Sequence, residues 1–205
     1  MNIPIIITTS DNYHHCLPVF FKCWERNWNV PIELVGYKKP ENLPEYVTFV
    51  SLGEQRGPKF FSDDLAAYFR TQDQWFIWMM EDTFIKRVDF FELNHMKELM
   101  RPDVGRIGLT TDILKREHTI YGVGDHSIAF AHRNTKYRLS TQPSIWNRDF
   151  LLQYMTPGLS PWDFETQPTM DGWKIYGPTK NAVYHNEGVR RHDIHKLNLD
   201  GIDEI

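Results

Sequence analysis

The stretch Trp75-Phe76-Ile77-Trp78-Met79-Met80-Glu81-Asp82-Thr83 passes without a break from six apolar residues to two acids. A continuous apolar run of this kind suits a strand covered on both faces. In open α/β sheets, ligands bind beyond the carboxyl ends of the strands, which is where this run delivers Glu81 and Asp82. Adjacent carboxylates at such a place lose hydration unless they are paired or bind a metal. A divalent ion shared between carboxylate and phosphate oxygens would satisfy both acids and hold a pyrophosphate at once. The plainer alternative is a solvated acidic turn at a strand end.

Working outward, Ile3 to Thr8 is a second apolar run, ending in the polar turn Thr9-Ser10-Asp11-Asn12, which can cap a following helix. Leu17, Phe20, Phe21, Trp24 and Trp28 recur at helical spacing and predict a helix over 13–28. Strands are expected from Pro31 to Tyr37 and from Val47 to Leu52. Ser62 followed by Asp63 and Asp64 predicts an N-cap, opening a helix to Arg70. The order β-α-β-β-α-β over the first ~85 residues predicts an α/β fold with a mostly parallel central sheet flanked by helices.

Downstream, a helix is expected from Asp89 to Met100, a strand from Val104 to Leu109, and short strands and loops over 110–145. A helix near 147–155 follows. Ser160-Pro161-Trp162-Asp163 predicts a helix start with Pro at its first position and a capping box. A late strand at Asn181 to Tyr184 precedes a polar tail. The expected organisation is a single domain over 1–205, with halves at 1–110 and 111–187 and the tail at 188–205. A chain of 205 residues buries roughly 70% of its unfolded surface, enough for a substantial core.

Seven Trp and thirteen Phe exceed ordinary usage; such side chains serve the core and also stack on sugars or bases. A net charge of −4 offers no global attraction to nucleic acid, although 115–138 and 174–196 each carry five basic residues against two acids. Cys16 and Cys23 lie seven apart on one helical face, roughly 10 Å from each other. A disulfide needs Cα atoms within about 7 Å, so free thiols and a reducing, cytoplasmic compartment are expected. No apolar run approaches ~18 residues, so no membrane insertion is expected. A Gly-rich phosphate loop, a nucleophile elbow and a Cys-based zinc motif are all missing from the sequence.

The sequence resembles the GT-A-fold glycosyltransferases. In that superfamily a DxD-type motif closes the strand that ends the nucleotide-binding half, and its carboxylates meet Mn²⁺ or Mg²⁺ and the nucleotide-sugar diphosphate. Glu81-Asp82-Thr83 stands at that place, with Thr83 where the pattern has its last acid. Leu139-Ser140-Thr141-Gln142-Pro143-Ser144-Ile145-Trp146-Asn147-Arg148, followed by Ser160-Pro161-Trp162-Asp163-Phe164-Glu165, looks like the S-x-Q-P-x-x-W-N … S-P-W-x-x-E pattern of small bacterial and phage-type glycosyltransferases. What the resemblance implies is a nucleotide-sugar donor and a catalytic carboxylate that deprotonates the acceptor hydroxyl.

Asp163 can serve as the third residue of a capping box and Glu165 cannot, so Glu165 is the expected general base, with Asp163 second. The resemblance implies acceptor contacts from Gln142, Trp146 and Trp162. It also implies His185 as a metal or diphosphate ligand beside Glu81 and Asp82, and donor contacts from Thr9, Ser10, Asp11, Arg56, Lys59 and Asp63. Two acceptors stay open, a saccharide or a hydroxymethylated base in phage DNA, whose phosphates the basic clusters at 133–138 and 190–196 would track. A nucleotide- or saccharide-binding module without catalysis and a metal-dependent phosphohydrolase are the remaining alternatives.

Overall fold

In the computed structural model, which describes residues 3–123, 126–190 and 193–199, the two apolar runs are neighbours. Strand β1 (Ile5–Thr8) lies parallel to β2 (Ile32–Gly36) on one side and to β4 (Trp75–Met80) on the other, and β3 (Val47–Ser51) extends the sheet beyond β2. The register sets Ile6 beside Trp78 and Thr8 beside Met80. Alternate side chains enter opposite cores. Ile5, Ile7, Ile77 and Met79 pack with Phe20 and Trp24 of helix α1 (Leu17–Asn27). Ile6, Phe76 and Trp78 pack with Phe61 and Phe69 of α2 (Phe61–Phe69). Burial on both faces is the physical reason that these strands carry no polar alternation.

The stacked rings of Phe20, Trp24 and Trp28 are the spine of α1, with centroids 5.6 and 4.8 Å apart. Trp24 Nε1 donates to the Val30 carbonyl at 2.9 Å, so its polar edge is satisfied in the core. Asp11–Cys16 is a 3-10 turn rather than the first turns of the predicted helix. Cys16 and Cys23 are buried free thiols. The predicted N-cap at Ser62 is corrected. Its hydroxyl donates to the Thr156 carbonyl at 2.6 Å and accepts from Leu159 N at 3.0 Å, tying α2 to a distant loop.

Directly after Glu81-Asp82 the chain forms β5 (Thr83–Val88), which the sequence reading did not anticipate. Asp89 caps α3 (Phe90–Lys97) by accepting from Glu92 N at 3.2 Å. Then come β6 (Val104–Gly108), β7 (His118–Val123), β8 (His126–Ala131) and β9 (Ser144–Asn147), the last running straight into α4 (Arg148–Tyr154). Helix α5 (Pro161–Thr166) has the predicted capping box, and is followed by β10 (Lys174–Pro178) and β11 (Val183–Glu187). Part of the expected polar tail is a hairpin, β12 (Val189–Arg190) with β13 (Asp193–Leu197).

The large sheet has nine strands in the order β3-β2-β1-β4-β9-β6-β10-β8-β7, in which β9 and β8 run against the other seven. This is the mostly parallel α/β architecture with flanking helices expected from the sequence. The late strand expected at Asn181 to Tyr184 is β11, shifted to Val183–Glu187, and it pairs with β5 in a separate antiparallel ribbon, with Glu187 opposite Thr83. No helix among the described residues is long and apolar enough to cross a membrane.

Candidate active site

Because β1, β2, β3, β4 and β6 are parallel, the chain leaves all of them at one edge of the sheet, and β9, running the other way, enters from that edge. A cavity of about 650 Å³ opens there, within the range of small-molecule sites. Its lining follows the strand order. Val35, Tyr37, Leu52 and Leu65, from β2, β3 and α2, supply a largely apolar part. Thr9 and Ser10 follow from β1, Glu81 and Asp82 from β4, and Ser140, Thr141 and Gln142 from the approach to β9. Beyond them come Asp112, Lys115 and Arg116, after β6.

Glu81 is 2% exposed. Its Oε1 accepts from Thr9 Oγ1 and from Ser10 N, each at 3.2 Å. Burial, and then the neighbouring Asp82, push its pKa above the usual carboxylate range. Asp82 borders the cavity, and its pKa is raised by burial first, then by Glu187 and Glu165. The ribbon brings Glu187 here: it faces Thr83 across β5 and β11, and Gly188 N donates to the Asp82 carbonyl. Among the described residues Glu81, Asp82, Asp112, Glu165 and Glu187 have no ion-pair partner, so five acids line the cavity without a direct salt bridge.

Glu165 is held from the β9 side. Thr141 N and Thr141 Oγ1 both donate to its Oε1, at 2.6 and 2.7 Å. Lys115 and Arg116 are the cations of the cavity. The Arg116 guanidinium lies 4.4 Å from the centroid of Tyr137, and its Nε is buried without a hydrogen-bond partner. Tyr137 itself sits at φ +61°, in the left-handed region that side chains other than glycine seldom adopt. Trp162 is 66% exposed at the cavity wall.

Of the residues singled out in the sequence, Thr9, Ser10, Glu81, Asp82, Gln142, Trp162 and Glu165 gather on this cavity. Others do not. Asp163 completes the capping box with Ser160, which holds its carboxyl below the usual range, so it is a helix cap and not a second base here. Trp146 is fully buried against Trp78, Phe150 and Phe164 and offers no surface to an acceptor. Arg56 pairs with Asp64 and lies over the Phe60 ring. Asp63 accepts from Gly158 N at 2.8 Å, Asp11 accepts from Lys38 N at 3.1 Å, and Lys59 does not line the cavity.

His185 lies in a second cavity of about 360 Å³, which shares Asp112, Lys115, Gln142 and Glu187 with the first. Burial lowers its pKa to about 4, leaving the imidazole neutral. It does not join Glu81 and Asp82, and among the described residues no three His, Cys, Asp or Glu side chains are grouped to hold a metal ion. Of the basic cluster at 133–138, Arg133 and Lys136 are exposed, but Arg138 is not at the surface. Arg138 is buried, pairs with Asp171 at 3.1 Å and donates to the Trp173 carbonyl at 2.6 Å. In the cluster at 190–196, Arg191 and His192 lie outside the described residues.

No protein-family pattern matches the chain, and no curated protein matches its sequence. Solved structures do. The crystal structure of HddC from Yersinia pseudotuberculosis matches with a TM-score of 0.51 over 91% of this chain and 93% of that one, at 11% identity. The shared feature is the fold. Looser likenesses are to the mannosyltransferase PcManGT from Pyrobaculum calidifontis in complex with GDP-Man and Mn²⁺ and to the galactosyltransferase LgtC with donor and acceptor sugar analogs. They have TM-scores of 0.47 and 0.38, identities of 11% and 13%, and cover 92% and 55% of this chain. The chain spans 57% and 48% of those two structures.

Proposed function

We propose that this chain is a glycosyltransferase, moving a sugar from a nucleotide-sugar donor to a hydroxyl acceptor with Glu165 as general base. The observation that carries the reading is the order of the cavity wall. Apolar residues, hydroxyls, acids without a salt bridge, a fixed carboxylate and two cations follow one another along one sheet edge. A nucleoside diphosphate sugar has the same order of parts: a flat base, a ribose, a charged diphosphate and a sugar.

In this assignment the base lies against Val35, Leu52 and Leu65, beside Tyr37, whose hydroxyl donates to Asp64 at 3.0 Å. Thr9 and Ser10 face the ribose. Lys115 and Arg116, the cations of the lining, draw the diphosphate toward the acids. Asp82 and Glu187 are the residues that would hold Mn²⁺ or Mg²⁺. Their mutual repulsion is the situation that a divalent cation relieves, and such ions are commonly held by one or two carboxylates. Such an ion, when bound, neutralises charge on the leaving diphosphate.

The two Thr141 donors anchor one oxygen of Glu165 and leave the other for the acceptor. The acceptor oxygen bonds to the anomeric carbon as the bond from that carbon to the diphosphate breaks. The hydroxyl proton passes to Glu165 and the bonding pair leaves with the nucleoside diphosphate. Direct displacement of this kind inverts the anomeric configuration. A saccharide acceptor is favoured over DNA, because Arg138, one of the three cations of the expected cluster at 133–138, is consumed by an internal ion pair.

Mass spectrometry of products, after incubation with pooled nucleotide sugars, Mn²⁺ or Mg²⁺, and either oligosaccharides or hydroxymethylated DNA, tests the reading. A hexose or pentose mass added to an oligosaccharide is the expected result. Intact donors under every condition would sink it.

A further inference from the structure

The second cavity has no assigned occupant, and its chemistry is unlike that of the first. Thr110 Oγ1 is buried without a hydrogen-bond partner although Thr110 lines the cavity. Among the described residues, no group hydrogen-bonds the ring nitrogens of His185. Buried polar groups are ordinarily satisfied, so the unpartnered Thr110 hydroxyl, beside an imidazole with no partner among the described residues, points to a ligand or water at this wall. Asn181 is fixed for the same space, since its Oδ1 accepts from Thr111 N at 2.6 Å, which leaves its amide group available. The lining carries two cations, Lys86 and Lys115, and two acids, Asp112 and Glu187, so its formal charges balance.

We infer that this cavity is the acceptor pocket and takes a neutral, hydroxyl-rich ring, a pyranoside unit. The inference rests on the glycosyltransferase reading for its role in transfer, and on the cavity alone for its ligand class. A volume of about 360 Å³ lies at the small end of ligand sites and suits one ring more than a chain. Balanced charge disfavours a phosphate or a carboxylate. Hydroxyls, which both donate and accept, match a wall of hydroxyl, imidazole and amide groups. Asp112, Lys115, Gln142 and Glu187 belong to both cavities, so a ring seated here is next to the acids of the first.

The test is saturation-transfer NMR with methyl gluco-, galacto- and mannopyranosides, with and without UDP or GDP, on the native chain and on Thr110→Val and His185→Gln. Thr110→Val is nearly isosteric and deletes only an unpartnered hydroxyl, so it folds even if the histidine variant is impaired. At least one glycoside is expected to bind, and to remain bound when UDP or GDP is saturating. Each substitution should weaken it about fivefold more than it weakens the nucleotide, as the loss of one hydrogen bond implies. The inference is overturned if no glycoside binds the native chain, if the nucleotide displaces it, or if both variants shift the two ligands equally. Failure of UDP and GDP to bind anywhere instead overturns the proposed function, while the glycoside titrations without nucleotide still decide the nature of this cavity.

Discussion

Glu187 faces Thr83 across the β5–β11 ribbon and thereby stands against Asp82, whose pKa it raises. Two acids far apart in sequence become one anionic locus, built by a strand pair outside the main sheet. Asp82→Asn is expected to lower sugar transfer on the order of 100-fold, the scale for removing a charge-stabilising group. Glu187→Gln should have a smaller effect and weaken the response to Mn²⁺. Titrating transfer against Mn²⁺ for both variants checks this. Equal, metal-independent losses would argue that the pair does not act on a cation.

Glu165→Gln separates chemistry from binding. The glutamine keeps an Oε1 that accepts from Thr141 N and Oγ1, so the loop stays in place. Turnover should fall roughly 10²–10⁴-fold, as expected for loss of a general base, with the donor KM little changed. Near-native turnover would remove Glu165 from its assigned role.

Glu81 predicts a pH signature. Its pKa is raised on folding, so the native state binds a proton more tightly than the unfolded chain. Stability is therefore fully present below the ordinary value of 4.5 and is lost as pH rises through the raised value near 8. Glu81→Gln retains an acceptor for Thr9 and Ser10 without the charge. It should melt higher than the native protein at the alkaline end, by at least ~2–4 °C for each kcal/mol regained, and show a shallower decline. Parallel melting profiles would contradict the burial argument.

Arg138→Met tests whether that arginine belongs to the fold or to a nucleic-acid surface. Removing it strands Asp171, which also accepts from the Tyr154 hydroxyl, in a buried site. Breaking a buried pair costs about 3–5 kcal/mol, measurable by denaturant unfolding. Unchanged stability with lost DNA binding would restore the phosphate-tracking reading.

Much of the fold was legible where local chemistry and tertiary context agree. The Trp75–Met80 run, the Phe20/Trp24/Trp28 stripe and the Ser160 capping box each appear where their spacing placed them. The misses share a different cause. Trp146 reads as an exposed aromatic only if β9 is not known to lie between β4 and β6, where both faces are covered. Glu187, Asp112, Lys115 and Arg116 carry no local motif, because long-range pairing and loop closure bring them to the cavity. Ser62 looked like a cap because its partners, Thr156 and Leu159, are remote.

The antiparallel insertion of β9 has a kinetic corollary. β4 gains its second neighbour only when Ser144–Asn147 docks, through Ile77 with Ile145 and Phe76 with Trp146. Until then its most apolar strand offers open backbone groups to any passing chain, the situation that drives edge-to-edge aggregation. Chains interrupted before β9 should therefore accumulate in inclusion bodies, whereas those ending after it can close the seam between the two halves of the sheet.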